Sequence, residues 1–404
     1  MTPVTALLLF LAFQGDFSEK GMKALDENRY SDAVENFTRA LAADPKDYTL
    51  HFNLALAYGL QGKDAEAIAE YKKTLELKPD LYQADLNLGI TLLRGKQAAE
   101  SLPYFTAAAA QRPKEFRPNF YVAAALLATG EFAKAEPAYL AALELDPKSA
   151  DAELGLAHAL AKQNRLDAAA PHFQKAAELN PHYRDDLLEL ASLYEQAKQP
   201  AEAIAIYQQF PENPGAQERW GVLLLESAKP ADAVPHFEIA VAKSPTEANR
   251  AALVTAYVKN NQADKALPIV NEILAGSPND YEFRMLHGRI IRDQRKFPEA
   301  ARDFLQATEL QPNSAEAWSE LAGVQVMAEN YPNALAALDQ LAALHAEKPG
   351  HVFLRAIVLD KIRDLKPALA AYQRFLSLSN GQFPNEEFQA RQRSRILENE
   401  ISKR

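Results

Sequence analysis

Histidines and carboxylates are the side chains of this sequence that could act as bases or metal ligands, and their spacing decides what chemistry they can share. Two histidines face one metal from a single helix only when they are three or four residues apart, and no two of the eight are. There is no cysteine, so thiolate nucleophiles, thiolate ligands and disulfides are excluded, while the redox compartment stays open. The histidines are His51, His158, His172, His182, His236, His287, His345 and His351.

Paired carboxylates such as Asp185 with Asp186, or Glu386 with Glu387, are numerous. On a helix such pairs are ordinarily solvated. Acid–base catalysis needs a cleft that perturbs the pKa values of the carboxylates, so we do not expect these pairs to be catalytic. The sequence also contains no P-loop, no G-x-G-x-x-G and no H-E-x-x-H. We therefore expect a protein that is not an enzyme and has no catalytic residue, no cofactor and no metal site.

A sequence repeat of 34 residues predicts the helices that must position any functional site. Counting the repeated proline as position 32 of each unit, an alanine or serine recurs at position 20 and an aromatic residue at position 24. Apolar or small residues at positions 7, 8 and 11 form one stripe of a first helix, A. A second helix, B, ends at the proline, which has no N–H. The prolines are Pro45, Pro79, Pro113, Pro147 and Pro181, and the aromatic residues are Phe37, Tyr71, Phe105, Tyr139 and Phe173.

This pattern resembles the tetratricopeptide repeat, a helix-turn-helix unit of 34 residues with an A-x3-F then P signature. The resemblance implies an all-α, right-handed superhelical solenoid, of the multi-repeat bacterial type, with a C-terminal capping helix. The unit recurs about eleven times. We predict repeats 1–5 over residues 16–183, a shortened repeat 6 over 184–213, repeats 7–11 over 214–382 and the cap over 383–404.

A second set of prolines falls at position 22, near the predicted start of helix B. A proline in the first helical turn costs little, because that turn has no intrahelical partner for its N–H groups. We interpret these prolines as entry or slight-bend positions. They are Pro103, Pro137, Pro171, Pro235 and Pro268.

Residues 1–15 begin with MTPVTALLLFLAF, an apolar run that is too short to span a bilayer. Its length is typical of a signal-peptide core, although no lysine or arginine precedes it. We predict export to a bacterial periplasm or cell envelope. The alternative is an additional helix packed on the first repeat of a cytoplasmic protein.

The formal net charge is −10, with acidic and basic residues interspersed, which opposes binding to nucleic acid through a phosphate-neutralising face. Hydrophobic residues make up 48% and charged residues 24%, as in folded soluble proteins. We therefore expect a protein or peptide partner, with a membrane-associated complex left open.

In tetratricopeptide proteins a concave groove is lined by helix A at positions 2, 5, 9 and 12, and the resemblance carries this groove to the first five units. Large apolar residues at such positions usually mark a binding surface. A partly buried packing role is the alternative. The predicted groove residues are Met22, Leu25, Phe52, Leu56, Leu86, Ile90, Leu93, Phe120, Leu127 and Leu154. Beyond them, the corresponding residues are polar: Asp185, Glu195, Glu218, Glu282, Arg289 and Arg292.

Some members of the family clamp a peptide carboxylate with lysine, asparagine and arginine. Asn53, Asn87 and Arg117 match part of that pattern, but Phe52 and Tyr121 stand where the clamp needs cations. We therefore predict a non-catalytic scaffold that holds a partner segment by apolar anchors. Two alternatives are an envelope assembly or secretion factor and an accessory subunit of an enzyme complex.

Overall fold

The structure, a computed structural model, describes residues 17–403, and within that range its regular secondary structure is entirely helical. The predicted signal peptide at residues 1–15 lies outside the described residues. Sequencing the N-terminus of the mature protein tests that prediction. No helix of the described range is long and apolar enough to cross a membrane.

The helices alternate between A and B elements and form eleven hairpins followed by one last helix. The A helices are α1 (17–26), α3 (Tyr48–Leu60), α5 (Tyr82–Arg94), α7 (Phe116–Ala128), α9 (Ala150–Lys162), α11 (Asp186–Gln196), α13 (Pro214–Glu226), α15 (Glu247–Lys259), α17 (Tyr281–Asp293), α19 (Ala315–Met327) and α21 (Pro349–Lys361). The B helices are α2 (Tyr30–Ala43), α4 (Asp64–Leu77), α6 (Ala98–Gln111), α8 (Phe132–Leu145), α10 (Leu166–Leu179), α12 (Pro200–Tyr207), α14 (Pro230–Lys243), α16 (Ala263–Gly276), α18 (Phe297–Leu310), α20 (Tyr331–Ala343) and α22 (Leu365–Ser379). The last helix is α23 (Pro384–Ser402), and a 3-10 turn covers Pro181–Tyr183.

The chain divides into two compact units, one ending at Gln209 and the other beginning at Phe210. Each is an all-α solenoid of stacked hairpins, which confirms the predicted fold class. Helix α12 has 8 residues where most B helices have 14, so the last hairpin of the first unit is the shortest. In the second unit α23 packs on α22 and buries Ala390 and Leu397.

One turn geometry joins helix A to helix B in every hairpin. Position 15 has a left-handed backbone in all eleven repeats, with φ between 56° and 81°. The N–H of position 16 then bonds to the carbonyl of position 11, as from Gln97 to Leu92, which is the Schellman closure of a helix. Only Gly62 and Gly130 are glycines. The other residues are Asn28, Lys96, Asn164, Lys198, Ala228, Asn261, Arg295, Glu329 and Arg363.

The residue at position 24 packs against position 8 of its own hairpin. Where position 8 is glycine, position 24 is phenylalanine, and a Cβ on Gly89 would lie 2.6 Å from the ring of Phe105. Phe105 also stacks on Tyr121 of the next repeat, with ring centroids 5.0 Å apart. The ring therefore joins A to B and one repeat to the next. The four such pairs are Gly21 with Phe37, Gly89 with Phe105, Gly221 with Phe237 and Gly288 with Phe304.

The position-22 prolines lie further inside helix B than predicted. Pro103, for example, is the sixth residue of α6. The helix continues through it, and its ring is on the exposed side, where water can satisfy the carbonyl that loses its N–H partner. They are therefore mid-helix residues, one turn beyond the entry position.

A side-chain pair between positions 4 and 23, which the sequence analysis missed, links A to B in several hairpins. In repeat 2 a histidine on A faces a glutamate on B, and in repeat 5 the two residue types are exchanged. Aligning the repeats could have predicted these pairs, because histidine and glutamate change places between positions 4 and 23. The pairs are His51–Glu70, Glu153–His172, Gln217–His236 and Arg284–Asp303, with N–O distances of 2.6, 2.6, 2.8 and 3.2 Å.

The pair in repeat 7 predicts acid sensitivity. Nδ1 of His236 lies 2.8 Å from Oε1 of Gln217, and its ring stacks on Trp220 at 3.8 Å. Burial lowers the pKa of His236 below its usual value of 6.5. The unfolded chain therefore binds a proton more readily than the native one, so native stability contributed by neutral His236 is present above about pH 6.5 and is lost as the pH falls below it.

Urea unfolding at pH 7.5 and 5.5 measures this effect, with Trp220 fluorescence as the reporter in a Trp318→Phe background. We expect lower stability at pH 5.5 and a smaller difference between the two pH values in His236→Gln. An equal difference with and without His236 would contradict the assignment.

Candidate functional site: the inner face of the first unit

The A helices form the inner side of the first unit. Helices α5 and α7, and likewise α7 and α9, contact each other directly, whereas contacts between successive B helices are sparser. When successive hairpins lie closer together on one side of a stack than on the other, the stack bends, and the closer side becomes concave. We therefore call the A-helix residues of the first unit that point away from their B partners its inner face.

Most predicted groove residues are only half-buried on this face. Met22 is 42% exposed, and the others keep part of their surface in solvent. Leu25, Phe52, Ile90 and Leu93 pack by one side against the core clusters. The half-buried members are Leu25, Phe52, Leu56, Ile90, Leu93, Phe120, Leu127 and Leu154.

Leu86 is wrong as a groove residue. It is 4% exposed and belongs to the core cluster of Phe105, Ala108 and Ala125. Position 5 therefore does not always face solvent, because Tyr121 of the next repeat also packs against this cluster. A substitution at Leu86 would report stability and not binding.

An aromatic group stands at the centre of the inner face. The ring of Phe120 lies 5.4 Å from those of Phe116 and Tyr121, and 6.1 Å from that of Tyr139 on α8. Burial raises the pKa of Tyr139, so its phenol is neutral at all physiological pH values. The four rings are thus uncharged, and Phe116, Phe120 and Tyr121 keep part of their surface in solvent above the buried Tyr139.

The partial match to a carboxylate clamp does not form a site. Asn53 is 8% exposed, and Asn87 is half-buried beside Tyr71 of the preceding repeat. Burial is the main effect on that phenol and raises the pKa of Tyr71 to about 12. The asparagines therefore support packing between repeats.

In the second unit the polar residues of the A helices bind one another. Arg289 contacts Glu316 and lies 2.9 Å from Glu320, and Arg292 also contacts Glu320. These ion pairs run from α17 to α19, so both arginines already have carboxylate partners.

The sequence profile of the tetratricopeptide repeat matches residues 19–82, 86–150, 122–184, 154–217 and 286–349, and a second profile of the same description matches 224–290. These ranges cover well over half of the 404 residues. The chain belongs to the tetratricopeptide repeat family. Arrays of this family are generally non-catalytic, and the repeat fold supports an interaction scaffold for protein or peptide partners in this chain.

Solved structures of tetratricopeptide proteins are similar to part of the chain. MamA MSR-1 is 25% identical with a TM-score of 0.39, covering 42% of this chain and 97% of its own. MamA from Desulfovibrio magneticus RS-1 is 22% identical with a TM-score of 0.40, covering 42% and 96%. YrrB, a TPR protein with an unusual peptide-binding site, is 21% identical with a TM-score of 0.40, covering 45% and 90%. A comparison with curated proteins gives no match.

Proposed function

We propose that the inner face of the first unit binds an apolar segment of a partner protein. The observation that carries this proposal is the run of half-exposed large apolar side chains on consecutive A helices, from Met22 on α1 to Leu154 on α9. Contiguous apolar surface of this kind is uncommon on a folded monomer unless it binds something. A helical or extended segment presents anchors at the spacing of successive A helices.

The central contacts favour anchors that are large and uncharged. Leu56 and Ile90 occupy position 9 of neighbouring repeats, and the ring of Phe120 adds an aromatic wall one repeat further on. Truncating a buried interface anchor commonly costs more than 1 kcal/mol of binding free energy, whereas contacts at the rim cost little.

Panning the full chain against displayed random peptides tests the proposal. We expect selected peptides to carry large apolar residues, and their Kd to rise about tenfold or more in Leu56→Ala with Ile90→Ala. The matched control is Leu140→Ala with Leu145→Ala on the B helix α8, where both leucines are exposed, at 46% and 39%. Equal affinity in the inner-face variant and the control would reject this surface.

A further inference from the structure

His158, Asp186 and Glu189 bring one nitrogen and two carboxylate ligands together at the end of this apolar face. Their ligand atoms all lie within 4.8 Å of one another. His158 is on α9, and the two acids are on α11, three residues apart and therefore on one face of that helix. The cluster thus bridges repeats 5 and 6.

These three side chains differ from the other histidine–carboxylate pairs of the chain. His51, His172 and His287 each reach a carboxylate oxygen directly, at 2.6, 2.6 and 2.7 Å. Nδ1 of His158 lies 3.8 Å from Glu189, beyond hydrogen-bond distance. His158 is therefore not closed on Glu189 by a direct hydrogen bond.

The surroundings fit a cation between these three side chains. The ring of His158 packs edge-to-face on Phe173 at 5.1 Å, which fixes its orientation. Burial, and to a smaller extent the charges of Glu189 and Asp185, raise the pKa of Asp186, although His158 opposes the rise. A divalent cation would offset this crowding of negative charge, since it favours both carboxylates in the ionised form.

We propose that His158, Asp186 and Glu189 bind a first-row divalent cation of the Zn²⁺ type. Imidazole and carboxylate ligands bind Zn²⁺ at about 2.0–2.2 Å in tetrahedral geometry, so two ligand atoms of one ion are about 3.4 Å apart. The ligand atoms, which lie within 4.8 Å of one another, need to approach by up to about 1.4 Å to reach that separation, and the half-exposed Glu189 can rotate to do so. Three protein ligands leave a position open to water or to a ligand group from outside.

Zn²⁺ titration of the chelator-treated full chain, in competition with a chromogenic chelator, tests the site. We expect one Zn²⁺ per chain at this site, and an affinity at least about tenfold lower in His158→Gln and in Glu189→Gln, because even outer-shell substitutions cost metal sites 10–100-fold. Glu189 is on the surface, so its variant keeps the fold. Mg²⁺, which prefers oxygen ligands and its own waters, should compete poorly.

His172→Gln is the matched control, since His172 belongs to the same repeat and pairs directly with Glu153. Its Zn²⁺ affinity should equal that of the unaltered chain. Unchanged binding in Glu189→Gln, equal loss in His172→Gln, or no stoichiometric binding at all would each overturn the proposal. None of these results bears on peptide binding to Leu56 and Ile90.

Discussion

Replacing Phe105 by alanine is expected to lower the local free energy of unfolding by about 3–5 kcal/mol, the usual range for a buried phenylalanine. The side chain is 0% exposed, lies directly over Gly89 of its own hairpin and stacks on Tyr121 of the next one. Its removal leaves a cavity at the contact between α5 and α6 and takes away the stack between repeats 3 and 4. Both losses act on the same stretch of the solenoid.

Native-state hydrogen exchange of the amides in α5–α8 measures the effect, because repeat arrays are stabilised by nearest-neighbour contacts and open locally. We expect protection to fall there and to change little in the second unit. Phe388→Ala is the control, since this phenylalanine of α23 is 64% exposed and its loss should cost within about 0.5 kcal/mol. Similar losses in the two variants would refute the packing role of position 24.

Gly89→Ala should destabilise the protein by about 1–3 kcal/mol, the cost typical of adding a methyl group to a filled core. The new Cβ would lie 2.6–2.9 Å from three ring atoms of Phe105. That ring cannot move aside, because it is fully buried between two repeats.

Gly323→Ala is the matched control for this variant. Gly323 is also inside an A helix, α19, but nothing lies within 4 Å of its Cβ position. Alanine there should raise stability by about 0.5–1 kcal/mol through helix propensity. Thermal unfolding of both variants gives the comparison. A neutral Gly89→Ala together with a stabilising Gly323→Ala would show that steric contact does not decide position 8.

The hairpins could be predicted from the sequence because most repeats carry the same three markers independently. A proline at position 32, a small residue at position 20 and an aromatic residue at position 24 each constrain the same two helices. Where one repeat lacks a marker, the neighbouring repeats still indicate where its helices begin and end. The left-handed turn at position 15 could not be read in this way. Residues such as Lys96 and Glu329 give no indication of a positive φ, and only the closure of two packed helices imposes it.

The inner face was predictable as a surface but not residue by residue. Leu86 and Phe52 share position 5, yet only Leu86 is buried, because exposure there depends on the side chains of the following repeat. The cluster at His158 was missed for a related reason. Its ligands belong to two repeats, whereas a search for ligand pairs on one helix sees only Asp186 and Glu189.

The recurring turn separates the stability of the protein from its recognition surface, two properties that depend on the same residues in most folds. None of the proposed inner-face residues is at position 15, and nine of the eleven turn residues carry a side chain in a conformation that favours glycine. Each turn belongs to one hairpin and makes its own local bonds, so changes at distant turns should combine additively. Stability can therefore vary by small steps at the turns while the recognition surface stays constant, and the surface can diverge while the turns hold the array together.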